Sequence, residues 1–502
     1  MFESAVLGRS YSAKEYKEME QDLRIKLFNA QRASLEHKLP VLVLIAGVDG
    51  TGRGAVANLL SEWMDAKSIR NHVFWLPTDE ERCRPVAWKY WTKLPGYGEW
   101  GVFIGGWYGG AIRQLCCGDM PEARFNVLMH RWARLEEELA ASGTVIVKLW
   151  LHLSKKAHKD RLSDRLKHQE VHHFTPYDKK SAKNYDGLVK AAAKAITLTD
   201  RVDAPWTIID ACDPHFRNAS VARTIITAIK NAIAVKAARE DAQVPLPAAE
   251  TEGEISTLDA IDLSPKCEPD AYKKELEQLQ AAIYDLTYKA YKKGISSTLL
   301  FEGWDAAGKG GAIRRLTGGV DARITRVIPI SAPTDEELAH HYLWRFWRHV
   351  PRAGFVTVYD RSWYGRVLVE RVEKLASPLA WKRAYAEIND FEEQLQEKDN
   401  ILLKYWLHIS PEEQLRRFKE REGTPWKNYK ITPDDWRNRE KWNEYAVAAD
   451  EMFARTSTEY APWHIIPAED KKYARLEVLR IYKKALITAL ERKKKATSEK
   501  KA

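Results

Sequence analysis

Short runs of β-branched and aromatic residues at 298–301, 324–328, 355–359, 401–407 and 463–466 alternate with stretches in which apolar residues recur every three or four positions. That alternation predicts a parallel sheet covered on both faces by helices. An amphipathic helix carrying Tyr272, Leu279 and Ile283 leads into the first of these runs. The whole pattern occurs twice. At an offset of 256 residues, Tyr16, Leu23 and Leu27 take the places of Tyr272, Leu279 and Ile283, and the tetrapeptide Thr-Asp-Glu-Glu at 78–81 returns at 334–337. Trp107-Tyr108-Gly109 returns as Trp363-Tyr364-Gly365, Lys148 as Lys404 and His152 as His408. Past one inserted residue the offset becomes 257, which matches Thr175-Pro176 to Thr432-Pro433 and Ala204-Pro205-Trp206 to Ala461-Pro462-Trp463. A repeat of this length means two similar domains, placed at residues 1–237 and 269–502. The Pro-, Ala- and acid-rich stretch 238–268 between them reads as a linker.

Composition narrows the class of protein. With 45% hydrophobic and 30% charged residues, and no apolar run near the roughly 18 residues of a membrane span, a soluble protein is expected with no membrane association. Residues 1–20 mix charges from the start and lack the apolar centre of a signal peptide, so the expected location is the cytoplasm. The five cysteines are scattered and lack paired zinc-site spacing, as expected of reduced thiols. A formal net charge of +10 and a pI near 9.0 point to a polyanionic partner, and charge alone does not choose among nucleic acid, an acidic membrane and polyphosphate. The lysine-rich end from 493 to 501 reads as a solvated helix end.

Residues 303–310 read Gly-Trp-Asp-Ala-Ala-Gly-Lys-Gly directly after a strand-like run, the form of a loop that wraps backbone amides around phosphate. Gly303, Gly308 and Gly310 let the backbone approach, and Lys309 brings charge. In the standard loop Ser or Thr follows the lysine and holds magnesium; here Gly310 follows, so another group has to serve. Asp305 and Asp360, both placed just after strands, are the candidate pair for Mg2+. Arg361 and Arg366 add cations where a transferring phosphoryl group spreads its charge. Glu370 and Arg371 read equally well as an ordinary ion pair of a helix face.

A basic helix containing Arg416, Arg417 and Arg421 runs into the turn-rich segment 422–433, as in the helical lids of nucleotide kinases. Trp344, Trp347, Trp363 and Trp406 have counterparts in Trp88, Trp91, Trp107 and Trp150 and are assigned to the core. Trp426 and Trp436 have none and are the expected substrate contacts. At the offset of 256, Lys309 becomes Arg53, Asp360 becomes Ile104, Arg361 becomes Gly105, Arg366 becomes Gly110 and Glu370 becomes Gln114; of the metal pair Asp49 alone survives. No chemistry is expected from the first copy, although Arg53 and neighbouring lysines leave it a weaker reading as a polyanion-binding half.

The loop at 303–310, the run Asp360-Arg361-Ser362-Trp363-Tyr364-Gly365-Arg366 and the basic lid together resemble the polyphosphate kinase 2 family. The resemblance covers residues 270–490 and, in degenerate form, 14–230. It implies an α/β fold: two tandem P-loop kinase-like three-layer α/β/α domains with parallel sheets and a helical lid. It implies magnesium-dependent transfer of a terminal phosphoryl group between inorganic polyphosphate and a nucleotide. The two-domain class further implies AMP as acceptor and ADP as product, with an active second domain. Carried over by position, Asp305, Lys309, Asp360 and Arg361 take the catalytic roles, Asp305 and Asp360 the metal, and Arg421 the lid arginine, with Arg416 and Arg417 competing for it. The same reading expects no nucleic acid as partner, and the repeat would allow chains to pair as homo-oligomers. Two other readings stay open: the same fold acting on nucleoside diphosphates or drawing on ATP, and a non-enzymatic polyanion binder, which would leave the set Asp305, Lys309, Asp360 unexplained.

Overall fold

The computed structural model describes residues 1–5, 7–74, 76–167, 180, 183–241, 256–424 and 433–499. They fall into two compact units. One comprises Met1–Thr78, Lys89–Pro245 and Thr334–Trp344, the other Asp79–Trp88, Leu246–Pro333 and Arg345–Ala502. In the first unit five parallel strands, β1 (Val41–Gly47), β2 (Ile69–Val73), β3 (Trp100–Ile104), β4 (Val145–His152) and β5 (Trp206–Asp210), stand in the order β2-β3-β1-β4-β5. Its helices of eight residues or more are α1 (Ala13–Glu36), α2 (Arg53–Trp63), α3 (Gly106–Cys116), α4 (Glu122–Ala141), α5 (Lys155–Lys167), α6 (Tyr185–Thr199) and α7 (Pro214–Asp241).

The second unit repeats this order. Its strands β6 (Ser296–Gly303), β7 (Thr325–Pro329), β8 (Val356–Asp360), β9 (Asn400–His408) and β10 (Trp463–Pro467) pair as β7-β8-β6-β9-β10, again all parallel. All five strands expected from the sequence are present. Among the described residues its helices of eight residues or more are α8 (Pro269–Lys292), α9 (Lys309–Thr317), α10 (Pro378–Leu395), α11 (Pro411–Glu422), α12 (Pro433–Glu440), α13 (Trp442–Thr456) and α14 (Lys471–Glu499). Helices α8, α9 and α14 pack together, as do α10 and α13.

Burial explains why the strands read as they do. Strands β4, β6 and β9 are buried along almost their whole length, because helices cover both faces and every position needs an apolar or paired side chain. The outermost strands β2 and β7 expose most of their residues and carry Arg70, Asn71 and Arg326. No helix among the described residues is long and apolar enough to cross a membrane. All five cysteines are free.

Of the four matched tryptophan pairs, Trp91, Trp107, Trp150, Trp344, Trp347, Trp363 and Trp406 are buried as expected, while Trp88 is only half-buried. Both cores also contain an ion pair. Lys404 Nζ donates to Glu392 Oε2 at 2.8 Å, to the Tyr364 hydroxyl at 2.9 Å and to the Thr456 carbonyl at 2.6 Å, which uses all three of its protons. Glu392 Oε1 accepts from Trp363 Nε1 and the Tyr364 hydroxyl. In the first unit Lys148, Glu136, Trp107, Tyr108 and Thr199 form the same set. Burial draws each lysine's pKa down and each glutamate's up, while their mutual attraction opposes both shifts. Removing one partner of such a pair costs about 3–5 kcal/mol, because the other charge stays buried and unmatched. The sequence match of Lys148 with Lys404 thus marks scaffold, not chemistry.

His152, matched to His408 by the repeat, sits at the end of β4 with its Nδ1 accepting from Trp150 Nε1 at 3.3 Å and its ring stacked on Phe2. An accepting Nδ1 requires a neutral ring. Burial pushes the His152 pKa down from 6.5 to about 4, so in the unfolded chain it takes a proton at a higher pH than in the folded one. The stability from this group is therefore complete above pH 6.5 and is lost as pH falls toward 4. We expect the protection of β4 amides, measured against the intrinsic exchange rate at each pH, to fall as pH drops across that window and His152→Gln to flatten the dependence; an unchanged slope in the variant would assign it to other groups.

Candidate phosphoryl-transfer site

The loop after β6 is shaped by backbone torsions that few residues tolerate. Gly303 has φ +131°, and a Cβ there would lie 2.3 Å from the Leu407 carbonyl oxygen, so no other residue fits. Ala306 takes φ +64°. Gly308, at φ +112°, caps helix α9 without any side-chain bond. The first amides of α9 are thus left without a side-chain acceptor, where an anion is stabilised by the helix end. Space is open over Gly308 and Gly310, with nothing within 4 Å of a Cβ at either position.

Lys309 begins α9 and folds back over the loop, donating to the carbonyls of Gly303 at 2.7 Å and Trp304 at 3.0 Å. Its ammonium lies 4.0 Å from Asp305 Oδ1. Burial lowers the Lys309 pKa, opposed chiefly by the charge of Asp305. The parallel register sets Phe301 beside Asp360, so β6 and β8 end side by side and deliver their following residues to one crevice. Arg361 then turns at φ +65°, a conformation that costs a residue with a Cβ roughly 1–2 kcal/mol. Its Nη2 reaches Asp305 Oδ1 at 3.2 Å. Burial opposes the charge on Asp305, but Lys309, Arg361, the Asn438 amide and Arg421 outweigh it and hold the carboxyl below the usual carboxylate range. The Asp360 carboxylate is partly exposed and makes no hydrogen bond or ion pair among the described residues. Asp305, Lys309, Asp360 and Arg361, chosen from the sequence, are thus brought together.

The remaining sequence choices divide. Arg366 pairs with Glu370 at 3.0 Å, and Arg371 pairs with Glu451 at 2.6 Å and lies over the Trp381 ring. Arg421 is half-buried, acts on Asp305 through its charge, and makes no hydrogen bond or ion pair among the described residues. Arg416 is exposed and pairs with Glu413 and Glu420. Arg417, grouped by the sequence with the phosphate contacts, is 2% exposed. Its guanidinium donates to Glu413 Oε1, to the carbonyls of Ala306 and Ala307 at 3.0 and 2.9 Å, and to those of Ala468 and Glu469. It fixes the loop backbone. Arg161 does the same in the first unit, bonding the carbonyls of Gly50 and Cys212. Of the lid, residues 425–432 and with them Trp426 lie outside the described residues; Trp436 packs edge-on against Phe418.

Three participants were not read from the sequence. Asn438 Nδ2 donates to Asp305 Oδ2 at 3.0 Å from helix α12, a long-range contact with no local signal. Trp304 stacks on Trp442 at 3.6 Å and donates from Nε1 to His408 Nδ1 at 2.9 Å, which anchors the loop to the end of β9. Glu302 is buried and accepts from the Ser362 hydroxyl at 2.7 Å. Its signal was available, since the offset of 256 puts Ala46 in its place.

The first unit keeps the loop but not the charges. Asp49 Oδ1 is paired with Arg53 at 2.9 Å and with Arg113 at 3.4 Å, and the positions of Asp360 and Arg361 are Ile104 and Gly105.

Comparison with known proteins bears on what these crevices do. The model of the family described as Polyphosphate kinase 2 (PPK2) matches residues 10–237 and 266–495. The chain belongs to the polyphosphate kinase 2 family. It is 42% identical over 496 residues to a polyphosphate:AMP phosphotransferase of Pseudomonas aeruginosa, which covers 98% of this chain and all of that one. A second protein of that name, from Pseudomonas syringae pv. tomato, is 43% identical and covers 99% of this chain and all of its own. A solved structure from Pseudomonas aeruginosa PA01 assigned to polyphosphate kinase 2 superposes with a TM-score of 0.87 at 41% identity, covering 98% of this chain and 100% of that one. The tandem P-loop kinase-like α/β architecture is thereby the family's.

The division between Arg417 and Arg416 is open to measurement by denaturant unfolding. Arg417→Ala leaves four carbonyls without this donor and Glu413 with Arg416 alone, and is expected to cost about 3–5 kcal/mol, whereas Arg416→Ala, at the surface, should stay within about 0.5 kcal/mol. Equal effects would remove the loop-holding role.

Proposed function

We propose that this protein transfers the terminal phosphoryl group of inorganic polyphosphate to AMP, giving ADP and a polyphosphate one unit shorter. The observation that carries the reading is the end-to-end match, both repeats included, to relatives named polyphosphate:AMP phosphotransferases at 42–43% identity. The charge set of the second unit fits that chemistry.

Polyphosphate and AMP repel each other, so the first requirement is to gather two polyanions. Lys309, Arg361 and the N-terminal end of α9, which has no side-chain cap, supply positive potential at the ends of β6 and β8, and Arg421 adds to it from α11. An oxygen of the AMP phosphate attacks the terminal phosphorus in line. The bond from that phosphorus to its bridging oxygen breaks, and the electron pair leaves with the shortened polymer. The attacking oxygen is already ionised at neutral pH, so no side-chain nucleophile and no general base is required.

Magnesium fits the residues present. Asp305 is held in its charged form and the Asp360 carboxylate has no hydrogen-bond or ion-pair partner among the described residues, two hard ligands of the kind Mg2+ takes together with water and phosphate oxygens. Among the described residues no group of three or more His, Cys, Asp or Glu surrounds a metal position, which suits an ion completed by its substrate. When bound, the ion would neutralise phosphate charge; Arg361 and Asn438, which now bond Asp305, would share or yield its oxygens. Five free thiols fit the reducing cytoplasm, where we place the protein.

With magnesium, long-chain polyphosphate and AMP, the purified protein should form ADP, and a chelator such as EDTA should stop it. ATP in place of polyphosphate should support little transfer. Turnover with ATP alone would change the donor, preference for ADP would change the acceptor, and no turnover with any pair would leave a binding protein.

A further inference from the structure

The strained turn at Arg361 needs something to hold it. Its amide donates to the Phe301 carbonyl at 3.1 Å, and the next residue, Ser362, donates from its hydroxyl to Glu302 Oε1 at 2.7 Å. The ends of β6 and β8 are thus tied twice, once through backbone and once through a side-chain pair that is buried on both sides, Glu302 at 6% and Ser362 at 2% exposure. Ser362 Oγ also accepts from the Tyr364 amide, which fixes its rotamer.

The first unit is a built-in control. There the backbone tie persists, from the Gly105 amide to the Ile45 carbonyl at 2.8 Å, but the side-chain pair is gone, with Ala46 for Glu302 and Gly106 for Ser362. Gly105 and Gly106 take φ +81° and +49° at no steric penalty. The pair occurs where a residue with a Cβ has to turn left-handed, and is absent where glycines make the turn unaided. Glu302 also lies within electrostatic reach of Lys309 and Arg361.

We propose that the Ser362–Glu302 bond is a clasp that holds Arg361 in its left-handed turn and aims it at the crevice, which makes Glu302 and Ser362 positioning residues for the transfer. The inference rests on the transfer reading above only for its kinetic consequence; the clasp is a statement about the turn. Its loss leaves the cations present but Arg361 misdirected, so the rate suffers more than the affinity.

The test uses the full chain with Ser362→Ala, Glu302→Ala and Glu302→Gln, read by ADP formation and by amide hydrogen exchange of Arg361. Both alanine variants should lower kcat about ten- to a hundredfold, the penalty of a misplaced group, while KM for polyphosphate stays within about threefold. Glu302→Gln keeps an accepting oxygen and should recover to within about threefold of the wild type. The Arg361 amide should exchange about tenfold faster in the alanine variants, as expected on losing one buried hydrogen bond, and not in Glu302→Gln. Wild-type kcat with unchanged exchange in Ser362→Ala overturns the clasp. So does a loss confined to KM, or Glu302→Gln falling as low as Glu302→Ala, which would give the role to the charge of Glu302. If the wild type itself formed no ADP, the transfer reading would fall, and the exchange comparison would decide the clasp alone.

Discussion

Holding a lysine, two arginines and two carboxylates within one crevice against their own desolvation is the constraint from which the second unit's geometry follows. The charges do not solvate themselves; the fold sets Asp305 between Lys309 and Arg361, with Asp360 and Arg421 acting on the group through their fields. Asp305 accepts from Arg361 and Asn438 and lies near Lys309, and Lys309 rests on two carbonyls of its own loop. Such a site is preorganised: it presents cations to phosphate without rebuilding itself during the reaction, which is where electrostatic catalysis gains most. The register of β6 with β8, Phe301 beside Asp360, puts the two charged loops next to each other.

Duplication separates what the scaffold needs from what the chemistry needs. Both units keep the buried lysine–glutamate pair, Lys148 with Glu136 and Lys404 with Glu392. Both keep an arginine that clamps the loop carbonyls, Arg161 and Arg417. The catalytic candidates are where they part. Where the second unit spends strain on Arg361 at φ +65° and on Ala306 at φ +64°, the first has Gly105 and Gly50, which take those torsions freely. At the Arg361 position the first unit lacks both the strain and the charge.

Much of this was legible in the sequence because it is local or periodic. Strands β6 and β9 showed as apolar runs since both sheet faces are covered, the edge strand β7 showed by its β-branched residues, and Gly303 and Gly308 showed as the glycines a tight loop requires. Side chains that act through long-range contacts were harder to read. Arg417 and Arg421 share a helix face by spacing, yet one is sealed beneath the loop and the other acts on Asp305 from a half-buried position, a difference set by packing against Ala468 and Glu469 rather than by sequence neighbours. The repeat held the clue, because Arg161 stands at the matching place in a copy without the catalytic charges. Asn438 had no such clue, whereas Glu302 against Ala46 did.

The central claim, that the charges at the ends of β6 and β8 carry the transfer and those at the matching ends of β1 and β3 do not, meets its most direct test in a pair of single substitutions. ADP formation from polyphosphate and AMP should be abolished by Asp360→Asn and barely changed by Asp49→Asn, with both proteins folded. Retained activity in the first, or its loss in the second, would contradict the account.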